Sequence, residues 1–158
     1  MLKQGLLTCL IILLLSSCNT LKIIDKPVTY DEERKQLSLD YLEKRYGIIK
    51  NEPTIEPRMI VVHWTAIPGL EKSFDAFKQS KLPSSRPDIT DASALNVSAQ
   101  FLIDQNGKIY RLLPETTMAR HVIGLNHCAI GIENVGGTPD MPLTKKQLKS
   151  NLFRNVFT

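Results

Sequence analysis

The sequence predicts an α/β fold in which helices cover a central β-sheet. The short, continuous apolar run at residues 59–62 has the pattern of a strand buried on both faces, and residues 129–133 are predicted to form another strand. A helical pattern covers residues 31–46, and a second helix is predicted to begin with the capping-box sequence at residues 144–147. Buried strands and helices of this kind together indicate a domain in which helices pack on a sheet.

Residues 1–17 are predicted to be a bacterial lipoprotein signal peptide. A basic start at Lys3 precedes an apolar run at residues 5–15, which is too short for a transmembrane helix of about 20 residues. The run ends in Leu-Ser-Ser-Cys, which resembles a lipobox, so Cys18 is predicted to carry lipid; the alternative is an ordinary signal peptide with a chance cysteine. Asn19 favours the periplasmic side of the outer membrane over the inner membrane.

Residues 18–57 are predicted to be a lipidated tether with a short helix and a connector, and the domain proper is predicted at residues 58–158. Residues 19–30 are interpreted as the tether that leaves the membrane, and residues 31–46 as a helix that stops at Gly47. Further along, Phe74 and Phe77 indicate a short helix. Residues 97–103 and 108–113 flank an Asn-Gly turn and are predicted to form a hairpin.

Composition limits the classes of partner. The chain has 158 residues and a net charge of +4, without an arginine-rich stretch or an aromatic-interleaved basic stripe, so a nucleic-acid partner is not expected. Of the three cysteines, Cys9 lies in the signal peptide and Cys18 is the predicted lipid carrier. Cys128 is left without an intramolecular partner, so a disulfide scaffold is not expected.

Two residues next to apolar strands are candidates for chemistry. His63 follows the run at residues 59–62, and strand ends in α/β sheets open into crevices where sites form. Glu133 follows residues 129–132, and a carboxylate there is paired, exposed or shifted in pKa. The simpler interpretations are a structural histidine and a solvent-facing glutamate. A metal site of His63, His121 and Cys128 is a weaker alternative, because its spacing matches no usual zinc pattern.

Four segments in order resemble the type 2 N-acetylmuramoyl-L-alanine amidases, a family that includes AmpD-like amidases and peptidoglycan recognition proteins. They are His-Trp-Thr-Ala at residues 63–66, the hairpin at 97–110, Ala-Arg-His at 119–121, and the segment at 126–133 that ends in Ile-Gly-Ile-Glu. The resemblance covers about residues 58–150 and implies a central mixed sheet flanked by helices. It also implies hydrolysis of the amide between N-acetylmuramic acid and L-alanine in peptidoglycan.

The resemblance implies a role for each matching residue. His63 would be the first zinc ligand, and Glu133 would be the general base on the zinc-bound water. His121 would lie in the substrate groove, together with Asn126 and with Gln100, which stands where many members have histidine.

The family's other two zinc ligands would follow the helix that begins near Thr144, and no residue of this chain matches them. The fold is therefore expected to be incomplete at its C-terminus, with little amidase activity. The alternative functions are a non-catalytic peptidoglycan-binding lipoprotein and, more remotely, a hydrolase that uses Cys128 with His121.

Overall fold

The computed structural model describes residues 22–83 and 93–152, in which five strands and three helices form an α/β arrangement. Residues 1–21, including the predicted lipid carrier Cys18, lie outside the described residues. The elements in chain order are β1 (Ile23–Asp25), α1 (Glu32–Tyr46), β2 (Met59–Trp64), α2 (Leu70–Lys78), β3 (Phe101–Ile103), β4 (Ile109–Arg111), β5 (Ala129–Asn134) and α3 (Lys145–Asn151). No helix in the described part of the chain is long and apolar enough to cross a membrane.

The five strands form one mixed sheet in the order β1-β4-β3-β5-β2. Strands β3 and β4 are the predicted antiparallel hairpin, and every other neighbouring pair is parallel. The hairpin turns at Gly107, whose φ of +83° is a conformation that glycine adopts without steric cost. The expectation of a central mixed sheet with flanking helices is confirmed.

The prediction that residues 19–30 form a tether is wrong for the part that the structure describes. Strand β1 pairs in parallel with β4, with Ile23 opposite Ile109. Val28 then packs into the core beside Phe74 and Phe77 of α2. Three residues are too few to show a strand periodicity, and the pairing partner lies more than eighty residues away along the chain. The pairing is therefore a tertiary contact that local sequence does not reveal.

Helix α1 is likewise part of the folded domain. It begins after the N-cap Asp31, whose side chain accepts a hydrogen bond from the backbone of Arg34, and it ends at Gly47 in the left-handed conformation. The buried guanidinium of Arg34 donates to the carbonyls of Phe77 and Lys78 at the end of α2. This capping satisfies carbonyls that have no partner within their own helix, and it joins α1 to α2.

Helices α2 and α3 make different contacts with the sheet. Helix α2 packs against the face that carries Leu102 of β3. Helix α3 lies at the ends of β3 and β5, where Gln147 donates to the carbonyls of Ile103 and Val135. The predicted capping box is confirmed, since Thr144 and Gln147 exchange side-chain to backbone hydrogen bonds.

Replacing Thr144 by alanine is expected to lower the free energy of unfolding by about 1–2 kcal/mol. The Thr144 hydroxyl accepts from the backbone N–H of Gln147 and donates to the carbonyl of Gln105, and both bonds would be lost. Urea unfolding measures the change. Thr54→Ala is the matched control, because Thr54 is exposed and its substitution is expected to cost under about 0.5 kcal/mol. Equal effects of the two substitutions would contradict the capping role.

Candidate functional site

The site begins with two neighbouring strands that bring one histidine and one glutamate side by side. Strands β2 and β5 are parallel, and His63 is the register partner of Glu133. Register partners on adjacent strands project from the same face, and adjacent strands lie about 4.8 Å apart. Leu102 of β3 is the next partner of Glu133, so this is the face covered by α2.

His121 brings a second imidazole to this face. Its Nδ1 lies 3.1 Å from Nε2 of His63, and its Nε2 lies 3.2 Å from the carbonyl oxygen of Ala129. A carbonyl only accepts, so Nε2 of His121 carries the proton and Nδ1 of the neutral ring is an acceptor. His63 must then donate from its own Nε2, which leaves the lone pair of a neutral His63 on Nδ1.

Gly131 provides the surface on which the His121 ring rests. A Cβ atom at this position would lie 2.7 Å from Cγ and 2.9 Å from Cδ2 of the ring. Only glycine fits such a close approach, and a glycine inside a strand commonly marks one. Gly131 was not among the functional residues predicted from the sequence, although a glycine within the predicted strand at residues 129–133 was the available signal.

Glu133 is half-buried, and one of its two carboxyl oxygens is buried without a partner. Its Oε2 atom has no hydrogen-bond partner, and burial raises the pKa of the carboxyl from 4.5 to about 7. A carboxyl with this pKa is well matched to general base catalysis near neutral pH. An unpaired buried oxygen is unusual in a folded protein, and such atoms are commonly associated with a bound partner or a catalytic role.

Both histidines favour the neutral form. Burial lowers the pKa of His63 below its usual value. Burial lowers the pKa of His121 to about 4. The hydrogen bond to Ala129 raises this pKa in part, and the nearby His63 lowers it. Because burial favours the neutral form of both rings, each carries one proton at neutral pH, on Nε2 in His121 and on Nε2 in His63.

The predicted substrate contacts of Gln100 and Asn126 are not supported by their placement. Gln100 is 0% exposed and its amide bridges the backbone N–H of Gly131 and the carbonyl of Thr117. Asn126 is 1% exposed and its side-chain oxygen accepts from the backbone N–H groups of His121 and Val122. Both amides support the segments that carry the site and have no surface to offer a ligand. Burial of this kind depends on packing and was not visible in the motifs.

Residues 53–152 match the Amidase_2 family, which is described as N-acetylmuramoyl-L-alanine amidase. The match covers well over half of the chain. The chain belongs to this family. The family predicted from the four sequence segments is thereby confirmed, and His63, His121 and Glu133 all lie within the matched residues.

This amidase-family chain is similar to several solved structures, of which AmpD agrees with its fold. AmpD, solved as a selenomethionine derivative, is 22% identical with a TM-score of 0.51, covering 82% of this chain and 69% of AmpD. The amidase LysC from Clostridium intestinale URNW is 22% identical with a TM-score of 0.48, covering 82% of this chain and 68% of LysC. PGRP-SA from Apis mellifera is 17% identical with a TM-score of 0.49, covering 82% of this chain and 70% of PGRP-SA. No curated protein matches the chain.

The described residues do not complete the zinc site that the family resemblance implies. Within residues 22–83 and 93–152, no group of three His, Cys, Asp or Glu side chains could hold a metal ion. Catalytic zinc normally takes three protein ligands and an open position. His63 and His121 are instead joined by a direct hydrogen bond. The role of His63 as first zinc ligand stays a prediction, and these residues by themselves do not account for zinc chemistry.

The alternatives that involve Cys128 are not favoured by its surroundings. Its thiol is buried and donates to the carbonyl of Leu125 at 3.6 Å. Cys128 lines a pocket of about 180 Å³ that includes Arg58 and His127 but none of His63, His121 and Glu133. A nucleophilic cysteine needs a neighbour that lowers its pKa, and the hydrogen bonds of His121 go to His63, Ala129 and Asn126 instead.

Proposed function

We propose that this chain hydrolyses the amide between the lactyl group of N-acetylmuramic acid and L-alanine in peptidoglycan, with Glu133 as the general base. The observation that carries the proposal is a half-buried carboxyl with one buried, unpaired oxygen, next to His63 in a member of this amidase family, whose pKa burial raises to about 7. General base catalysis by a positioned carboxylate requires this combination of ionisation near neutral pH and a free acceptor oxygen.

In the proposed reaction, Glu133 first accepts one proton and then donates it. The ionised carboxylate takes a proton from water as the water oxygen bonds to the carbonyl carbon of the amide. The same carboxyl then gives that proton to the alanine nitrogen as the carbon–nitrogen bond breaks. The products are a free lactyl carboxylate and a new amino terminus on L-alanine. His121 cannot replace Glu133 as the base, because its Nδ1 accepts from His63 and its Nε2 is protonated.

The proposal is tested by incubating purified protein with a muropeptide that contains the intact muramoyl–alanine bond. New alanine amino termini are measured by amine labelling and mass spectrometry, with and without added zinc. The expected result is release of the stem peptide with L-alanine at its amino terminus. Binding of the muropeptide without any new amino terminus, in both conditions, would contradict the proposed hydrolysis.

A second candidate function is binding of peptidoglycan without hydrolysis. It is favoured by one observation, that the described residues contain no group of three metal ligands. Co-sedimentation with purified sacculi and titration with the same muropeptide would measure binding directly. This function predicts saturable binding that persists when Glu133 is replaced by glutamine, with no turnover in either protein.

We also propose that Cys18 anchors the chain in the cell envelope, where peptidoglycan is reached. The support is the signal-like run and the lipobox in the sequence alone. Cys18→Ser is expected to abolish incorporation of labelled palmitate in cells, because the thiol that takes the lipid is removed. Cys9→Ser is the matched control and is expected to retain the label, since Cys9 lies within the predicted signal peptide. Labelling of the Cys18 variant would contradict the anchor.

A further inference from the structure

Helix α1 reaches the candidate site through one buried hydrogen-bonded path. Tyr41 of α1 is 5% exposed, and its hydroxyl lies 3.2 Å from Nδ2 of Asn126. The Oδ1 atom of the same amide accepts from the backbone N–H of His121 at 2.9 Å and from that of Val122 at 2.8 Å. The helix is thus two side chains away from the imidazole that meets His63.

The orientation of the Asn126 amide follows from its partners. Two backbone N–H groups are donors only, so the oxygen of the amide must face them and the NH₂ group must point the other way. The NH₂ group then meets the Tyr41 hydroxyl, which accepts. Because Asn126 is 1% exposed, water is not at hand to replace that acceptor. A buried donor without an acceptor is costly, so loss of the hydroxyl strains the amide and the loop that it holds.

Tyr41 is itself held firmly. Its ring packs in a buried cluster with Leu42, Ile55, Leu95 and Met118. The guanidinium carbon of Arg120 lies 5.5 Å from the ring centroid. The hydroxyl is therefore presented to Asn126 from a fixed position, which is what a positioning residue requires.

We propose that Tyr41 is a positioning residue that sets His121 against His63 and Glu133 by holding the Asn126 amide. The catalytic part of this role rests on the proposed amidase function, whereas the geometric part does not. Helix α1 precedes the family-matched segment, which begins at residue 53, so the contribution comes from a part of the chain that the family match does not include.

The test compares Tyr41→Phe with Tyr30→Phe. Both substitutions remove one hydroxyl, but Tyr30 is exposed and precedes α1. Long-range ¹H–¹⁵N NMR of the imidazole rings at pH 8, in metal-free buffer, reports the tautomer of each histidine without requiring turnover. The parent protein and Tyr30→Phe are expected to show His121 protonated on Nε2. Tyr41→Phe is expected to give a mixture of tautomers or exchange broadening for His121.

A second variant keeps the test decisive if Tyr41→Phe does not fold. Asn126→Asp retains an oxygen for both backbone N–H groups, and the Tyr41 hydroxyl can rotate to donate to the other oxygen. This variant is expected to preserve the His121 tautomer. An unchanged His121 signal in Tyr41→Phe, or its loss in a folded Asn126→Asp protein, would overturn the proposal.

The kinetic readout is kept separate from the structural one. If the chain is an amidase, Tyr41→Phe is expected to lower kcat by about tenfold or more with little change in KM, since misplacement of a group at the reacting centre affects the transition state. A changed His121 tautomer without any turnover in the parent protein would support the positioning role and contradict the amidase function. An unchanged His121 tautomer in Tyr41→Phe, together with normal turnover by the parent protein, would contradict the positioning role and support the amidase function.

Discussion

Glu133→Gln is expected to lower kcat for the muramoyl–alanine amide by about 10²–10⁴-fold, the range that a general base contributes. Glutamine keeps the size and the polar character of the side chain but cannot take a proton from water. The parent enzyme is expected to gain rate as pH rises toward about 7, the pKa to which burial raises this carboxyl, because only the ionised form is a base. Stem-peptide release between pH 5 and pH 9 measures both effects.

The matched control is Glu56→Gln, which removes a carboxylate from an exposed position before β2. It is expected to leave both the rate and its pH dependence unchanged. Full activity of Glu133→Gln, or an unchanged pH profile in that variant, would show that another group takes the proton. Muropeptide binding by the inactive variant would show that its site is still formed.

The same substitution is expected to stabilise the fold at alkaline pH. A carboxyl whose pKa is raised from 4.5 to about 7 in the folded state destabilises the protein as it ionises. The cost is absent below pH 4.5, grows as pH rises, and is complete above about pH 7. It corresponds to about 3 kcal/mol, since each pKa unit is about 1.36 kcal/mol.

Urea unfolding of both proteins across this pH range measures the difference in the free energy of unfolding. The lowered pKa values of His63 and His121 have the opposite effect on the free energy of unfolding, which decreases as pH falls below 6.5. The comparison of the two proteins largely cancels that contribution. A pH-independent difference would contradict the uncompensated burial of the carboxyl.

Gly131→Ala is expected to lower the free energy of unfolding by about 1–3 kcal/mol and to separate His121 from His63. The added Cβ would lie 2.7 Å from Cγ, 2.9 Å from Cδ2 and 3.0 Å from Nδ1 of the His121 ring, and Gly131 lies inside β5, a strand paired on both sides. The backbone of such a strand is not free to retreat, so the imidazole must move. Urea unfolding and the imidazole NMR signals measure the two effects.

A double substitution tests whether the ring is the source of the cost. In His121→Ala the ring is absent, so adding Gly131→Ala to that variant is expected to cost at least about 1 kcal/mol less than in the parent chain. Additive effects of the two substitutions would mean that the close approach of ring and glycine does not matter. Such a result would also contradict a role of Gly131 in placing the His121 ring.

Local patterns accounted for the elements whose signals are contained in a few neighbouring residues. Asn-Gly at residues 106–107 predicted the hairpin because both residues tolerate the turn geometry, and the capping box predicted the start of α3. His63 and Glu133 were identified as candidates because each adjoins a buried apolar run. Parallel pairing of β2 and β5 then places them as register partners.

The sequence by itself determined the family, the buried strands and the two polar residues that adjoin them, because these depend on residue type and spacing along the chain. Only the tertiary structure decided that β1 is a strand, that Gln100 and Asn126 are buried supports, and that Gly131 carries the His121 ring. Strand β1 and Gln100 depend on partners distant in the chain, whereas Asn126 and Gly131 depend on how the nearby segment with His121 folds onto them. Burial and tertiary hydrogen bonding of this kind leave no periodic trace in local sequence.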